Sequence, residues 1–186
     1  MKKSVLLLFS LLLTFKCIGQ TSEKEKSNSV IENLTQYRQV FWDSLPQPVG
    51  WTNDYEGIFS VSEKEKLDNL IIDFEKETTI ELAIVTVDTV KTSSEKFEAL
   101  SLHIAKTWGI GKKGKDNGIL IAFSKGYKKI RIQLGNGIEK NLSDQETKDI
   151  IEHDFIPEFK KGNYYQGMQN GITKLMEILR IKIKKE

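Results

Sequence analysis

The chain has 186 residues, one domain's worth of sequence plus whatever its ends add. It is 39% hydrophobic and 29% charged, with 3 Pro and 13 Gly, which excludes a disordered or low-complexity chain. The formal charge is +2, but Lys2, Lys3 and Lys16 sit in the first stretch; without them basic residues fall from 28 to 25 against 26 acidic, so no global basic field is left to attract nucleic acid.

Residues 1–19 have the layout of a secretory signal peptide: basic Lys2 and Lys3, an apolar run from Ser4 to Phe15 too short to span a bilayer, then an abrupt return of polarity. An exported protein, periplasmic or secreted, is the expectation. The rival is a lipid anchor through Cys17, but such a signal wants a small residue where Lys16 stands. Cys17 is the sole cysteine, so a cut after Gly19 leaves a domain without disulfides that depends on its core alone. No later segment is long and apolar enough to cross a membrane.

Residues 20–48 read as a linker or docking segment. SEKEKSNS is charged and solvated, VIENLTQYRQVFWDSL has the makings of a short helix, and Pro46 and Pro48 end it. Tyr37, Phe41 and Trp42 either contact a partner or pack back on the domain. That domain is expected over 49–180, with a basic tail at 181–186. The basic end RIKIKK, Arg180–Lys185, suits the negative end of a helix dipole.

SVSEKEKLDNLIIDFEKET predicts a helix, with Ser62 and Glu65 as a capping box and Leu67, Leu70, Ile71 and Phe74 as its buried stripe. Ile80–Val87 is nearly continuous in apolar residues, a strand covered on both faces. A second helix is predicted from Thr92 and Glu95, another capping box, through Phe97, Leu100 and Ile104 to Trp108. GILIAF is a second buried strand. After the turn SKGYK, KIRIQL alternates cleanly and reads as a half-exposed strand paired antiparallel with it. Ser143 and Glu146 open a further helical stretch, interrupted at Pro157. A last helix buries Met168, Ile172, Leu175, Met176 and Leu179, with at most one of Tyr164 and Tyr165 buried. Strand–helix–strand implies a right-handed parallel crossover. The expected fold is therefore α/β, a three-layer α/β/α sandwich around a small mixed sheet, with one parallel crossover and one antiparallel hairpin strand.

GIGKKGKDNG, residues 109–118, imitates a phosphate-binding P-loop in its spacing of Gly109, Gly114 and Lys115. Asp116 stands where a magnesium-binding Ser or Thr belongs, and a strand follows the glycines where a helix should. The P-loop reading fails on that order. Hairpin pairing instead brings Asp116–Gly118 beside Gly135–Glu139. Asp116, the amides of Asn117 and Asn136, backbone carbonyls and Glu139 then form a hard-cation donor set. The competing reading is structural: a turn capped by Asp116, chain reversal at Gly135 and Gly137, and a solvated Glu139. Asp88 follows a parallel strand and belongs to the opposite sheet edge from Asp116.

Taken in order, NDYEGIFSVSEKEKL, ELAIVTV, AKTWGIGKKGKDNGILIAFS, KIRIQLGNGIEKNLSD and FIPEFKKGNYYQGM resemble the TPM domain family over about Val49–Leu179. That family includes exported bacterial proteins and a thylakoid-lumen protein linked to photosystem II repair. The resemblance implies an α/β/α sandwich, divalent-cation binding and acid phosphatase activity. It also implies Asp54, Asp116 and Glu139 as ligands of a Ca2+ or Mg2+ ion, Asp54 on resemblance alone. Two other functions stand beside cation binding. One is a metal-dependent acid phosphatase with Lys112, Lys113 and Lys115 holding phosphate oxygens. The other is an interaction or quality-control module whose partner is a membrane or envelope protein complex. Against the phosphatase, there is no compact nucleophile–base arrangement, and His103 and His153 stand alone.

Overall fold

The computed structural model describes residues 25–184, so the signal-peptide and Cys17 readings lie outside the described residues. The chain divides after Asp43. The first part is a helix, α1, over residues 25–43, longer than the short helix the sequence suggests because it starts inside the charged SEKEKSNS stretch.

The second part is built on four strands: β1 (Thr52–Asp54), β2 (Glu81–Thr86), β3 (Gly118–Ser124) and β4 (Lys129–Leu134), side by side in that order. β1, β2 and β3 are parallel, and β4 returns antiparallel to β3. α2 (Val61–Thr78) and α3 (Phe97–Trp108) are the two crossovers. α4 (Asn136–Glu139), α5 (Asp144–Ile150), a π turn (Ile151–Phe155), α6 (Ile156–Lys160) and α7 (Tyr164–Ile183) follow.

Strand parity divides the core. Leu82, Ile84, Ile119, Ile121, Phe123 and Ile132 point to one face, where Leu67, Ile71 and Phe74 of α2 and Met168, Ile172, Leu175, Met176 and Leu179 of α7 cover them. Ala83, Val85, Leu120 and Ala122 are buried on the other face, under Phe97, Leu100 and Ile104 of α3. The polar residues of β4 meet the same helix: Gln133 donates to Ser101 Oγ at 2.7 Å, and Arg131 pairs with Glu98 at 2.9 Å. The result is the expected α/β/α sandwich. The expected single parallel crossover becomes two, because three-residue β1 is too short to carry a period-2 signal.

Those two crossovers step the same way across the sheet but place their helices on opposite faces. They therefore have opposite hands, and the right-handed rule holds for only one of them. The loop leaving β1 turns toward the α2 face and the loop leaving β2 toward the α3 face. The carboxyl ends of β1 and β2 are thus a switch point, the place where open α/β sheets carry ligands.

Helix starts differ in detail from expectation. The capping box of α2 is Ser60 with Glu63, two residues before Ser62 and Glu65. α3 has no side-chain cap, and Thr92 Oγ1 instead donates to the Ser93 carbonyl. Tyr164 and Tyr165 are both half-buried. The Trp108 indole is half-buried as well and donates to the Pro46 carbonyl at 2.9 Å.

The Ser143–Glu146 capping box is present, and Glu146 also accepts from Lys182 at 2.6 and 2.7 Å, tying α5 to α7. The Lys182 ammonium, joined by the Ser143 amide and hydroxyl, holds the Glu146 carboxyl down from 4.5 to about 2. A lowered acid stabilises the fold fully above its unfolded value, and that contribution drains as pH falls from about 4.5 toward 2. Glu146→Gln is expected to lower the thermal midpoint at neutral pH by only a few degrees, since the pair is a third exposed and screened. Wild type and variant should converge near pH 2; thermal melts across pH check this.

Candidate functional site

Two ends of the sheet carry the residues of interest. At the amino end of β3, the hairpin closes through Gly135 N–H donating to the Gly118 carbonyl at 2.8 Å and Gly137 N–H to the Asp116 carbonyl at 3.0 Å. Asp116–Gly118 and Gly135–Glu139 are thus neighbours, as the hairpin argument requires. The approach is so close that a Cβ on Gly137 would stand 2.0 Å from the Lys115 carbonyl oxygen.

The loop before β3 is latched from several sides. Asn117 Oδ1 accepts from Lys112 N–H at 2.9 Å, and Asn117 Nδ2 donates to the Thr79 carbonyl at 2.8 Å. Lys112 Nζ bridges Glu75 at 2.5 Å and Glu81 at 2.7 Å. Hydrogen bonding, first to Glu75 and then to Glu81, pushes the lysine's pKa well above its ordinary value. Glu81 also takes Gly111 N–H at 2.7 Å, and Lys115 Nζ reaches Thr79 Oγ1 at 3.1 Å. Lys112 is therefore a structural clamp on two carboxylates, not a free phosphate ligand. Asn117, expected as a cation donor, instead bridges the loop backbone at Lys112 to the Thr79 carbonyl at the end of α2. Asp116, at φ 48°, and Glu139 are exposed.

At the opposite end, the carboxyl ends of β1, β2 and β3 bring acids together. Asp54 closes β1, in register with Thr86 of β2 and, through it, Phe123 of β3. Thr86 Oγ1 donates to Asp54 Oδ1 at 2.5 Å and accepts Glu56 N–H at 3.0 Å; Asp54 Oδ2 accepts Phe59 N–H at 2.8 Å. Glu56 reaches across to the β3–β4 turn and accepts from the amides of Lys125 at 2.8 Å and Gly126 at 3.3 Å. Asp88, in the loop after β2, accepts from Val90 N–H at 2.9 Å and Lys91 N–H at 3.0 Å, and pairs with Lys91 Nζ at 2.5 Å. Burial raises the Glu56 pKa, and the charges of Asp88 and Asp54 raise it further against the lowering pull of the two turn amides. The Tyr55 phenol beside them is raised by burial.

The structure separates the three expected ligands, Asp54, Asp116 and Glu139, between the two ends of the sheet. Asp116 precedes β3 and Asp54 ends a strand parallel to it, so the length of the sheet separates them, roughly 16 Å at the usual strand rise. Asp116 and Glu139 share the hairpin mouth; Asp54 lies with Glu56 and Asp88. Among the described residues, no three His, Cys, Asp or Glu side chains converge as a metal-holding group. His103 is half-buried in α3, and exposed His153 places Nδ1 2.8 Å from the Asp149 carbonyl oxygen. The sequence had placed Asp88 at the edge opposite Asp116. Glu56 was missed, because its partners lie sixty-nine and seventy residues further on.

Among proteins of curated function, none matches this chain. Solved structures do. The N-terminal domain of a protein from P. gingivalis is 26% identical, with a TM-score of 0.62, and the match covers 69% of this chain and 81% of that one. BA42 from the psychrophilic bacterium Bizionia argentinensis is 26% identical, with a TM-score of 0.58, covering 67% and 83%. The N-terminal domain of a Corynebacterium glutamicum protein shares the fold at 14% identity and a TM-score of 0.52, covering 75% and 84%. The TPM domain pattern matches residues 52–178, well over half of the sequence, and the chain belongs to the TPM domain family.

Proposed function

We propose that this TPM domain binds a divalent cation, calcium or magnesium, at the carboxyl ends of β1 and β2. The observation that carries the reading is that Thr86 ties Asp54 and the Glu56 backbone together, its Oγ1 donating to Asp54 Oδ1 and accepting Glu56 N–H, with Asp88 near enough for its charge to raise the Glu56 pKa. Each oxygen of Asp54 and Glu56 accepts one hydrogen bond, which leaves lone pairs for a further partner. Carboxylate and hydroxyl oxygens are hard donors, suited to these two ions. Among the described residues no three His, Cys, Asp or Glu side chains converge, so an ion here is held by one or two carboxylates and keeps several waters, as magnesium does. The leader-like pattern of residues 1–19 supports an exported setting for this binding, in which affinities of about 10⁻⁴–10⁻³ M suffice for calcium modules.

The test is the thermal midpoint with added Ca2+ or Mg2+. An ion that binds only the folded state stabilises it by about 2.7 kcal/mol at a hundredfold excess over its Kd, several degrees for a domain of this size. Asp54→Asn is expected to abolish the ion-induced shift, whatever it does to the starting midpoint, and Asp116→Asn to leave it intact. Loss of the shift only in Asp116→Asn would move the site to the hairpin mouth. No shift with either ion would end the proposal.

A further inference from the structure

Beside these acidic residues, across the β3–β4 turn, lies a pocket of about 500 Å³ with the opposite character. Its floor is aromatic and aliphatic: Phe123, Phe159, Tyr164 and Ile156. The Phe123 and Phe159 ring centroids are 4.5 Å apart, Phe123 and Tyr164 5.6 Å, and Phe159 and Tyr164 5.8 Å. Its rim is basic, with Lys125, Lys128, Lys160 and Lys161, and no acidic side chain lines it.

Four ammonium groups around an apolar floor repel one another unless something balances them. Lys161 is balanced, at 2.6 Å from Glu158. That glutamate is committed: Asn163 Nδ2 also donates to it, and the Lys161 and Asn163 hydrogen bonds together lower its pKa. Lys125 places its ammonium 5.3 Å from the centre of the Tyr164 ring, on the pocket's own floor. Among the described residues, no carboxylate pairs with the ammonium groups of Lys125, Lys128 or Lys160. Gly162 and Tyr164, at the start of twenty-residue α7, line the same wall, so the positive end of that helix dipole adds to the field.

We propose that this pocket binds a small aromatic acid, its ring on the Phe123–Phe159–Tyr164 floor and its carboxylate among Lys125, Lys128 and Lys160. The volume lies within the ordinary range for small-molecule sites, and an apolar floor with a few charged groups at the rim is how such sites orient a ligand. Compact ammonium groups on flexible stems act as point charges, so they select the sign of the ligand's head rather than a bidentate shape. The inference does not rest on the cation reading: its ammonium groups and aromatic floor lie outside the Asp54–Glu56–Asp88 set, though Glu56 accepts from the Lys125 and Gly126 amides, and its test runs in chelator.

The experiment is an amide-resolved NMR titration of the full chain with 1-naphthaleneacetate in EDTA, against neutral 1-naphthaleneethanol and against acetate. The acid is expected to shift the amides of Lys125, Gly126 and Lys160–Tyr164, with a Kd on the order of 1 mM at ordinary ligand efficiency. The neutral alcohol and acetate should each bind at least about tenfold more weakly, and added salt should weaken the acid. Lys125→Gln with Lys128→Gln, both exposed and so harmless to folding, should cost the acid about tenfold and leave the alcohol unchanged. Equal affinity for acid and alcohol, shifts centred elsewhere, or no saturation by about 10 mM overturns the proposal.

Discussion

Gly118→Ala is expected to destabilise the domain by about 3 kcal/mol, at the upper end of what overpacking a core costs. The cause is space, not backbone conformation. A Cβ at Gly118 would stand 2.0 Å from the Ile110 carbonyl oxygen, 2.4 Å from its carbon and 2.9 Å from Gly111 N. All three are backbone atoms, and the segment carrying them cannot drift. Gly111 N–H is held by Glu81, the Lys112 ammonium by Glu75 and Glu81, and Lys112 N–H by Asn117. Gly114 is the control. It lies at φ 79° with nothing within 4 Å of a would-be Cβ, so Gly114→Ala carries only left-handed strain of about 1–2 kcal/mol. Urea unfolding followed by circular dichroism measures both. If Gly118→Ala costs no more than Gly114→Ala, the loop yields and the latch described above is wrong. The outcome also bears on the P-loop likeness of GIGKKGKDNG: on this account Gly111, Gly118 and Lys112 serve the loop's own packing and its clamp to β2 and α2, not a phosphate.

Much of this fold was legible because it is written in periodicities. Leu67, Ile71 and Phe74 repeat at helical spacing, Ile119–Phe123 is an unbroken apolar run, and Ile130, Ile132 and Leu134 alternate; each pattern became the element it predicts. What escaped was β1. Its three residues have no room for a period, yet it places Asp54, sets the second parallel pair and gives the sheet crossovers of both hands. The candidate site was half legible for the same reason. Hairpin pairing is local, so Asp116 and Glu139 could be brought to one mouth from spacing alone. The other edge depends on a strand that propensity does not announce and on Glu56 bonding to a distant turn. Capping was unevenly readable. Ser143–Glu146 matched, whereas Ser60 outcompeted Ser62 for α2, because the motif recurs within two residues and only the path from β1 decides where the helix begins.

The stretch around Pro157 gives the other large effect. The sequence suggests an interruption there, but the helix continues through a π turn over Ile151–Phe155, with Ile156 N–H bonding to the Ile151 carbonyl. The wider turn has a packing reason. Ile150 and Phe155 are both buried, five residues apart, a spacing that a regular α-helix swings off its face and a π turn restores. Phe155 is completely buried, and its ring lies against α7 where Gly171 leaves space; a Cβ there would come 2.1 Å from Cε2 and 2.2 Å from Cδ2 and Cζ. One turn earlier, Gly167 makes the same room for Phe159. Phe155→Ala is therefore expected to cost about 3–5 kcal/mol, much of a typical domain's 5–15 kcal/mol. Gly171→Ala should cost about 1–3 kcal/mol by overpacking. The two positions act as one contact, so filling the groove hurts less once the ring is gone. In a double-mutant cycle, Gly171→Ala on the Phe155→Leu background should recover about 1 kcal/mol relative to the sum of the single changes. Additivity within about 0.5 kcal/mol in urea unfolding would show that the ring and the glycine groove are not coupled. The π turn would then need another explanation.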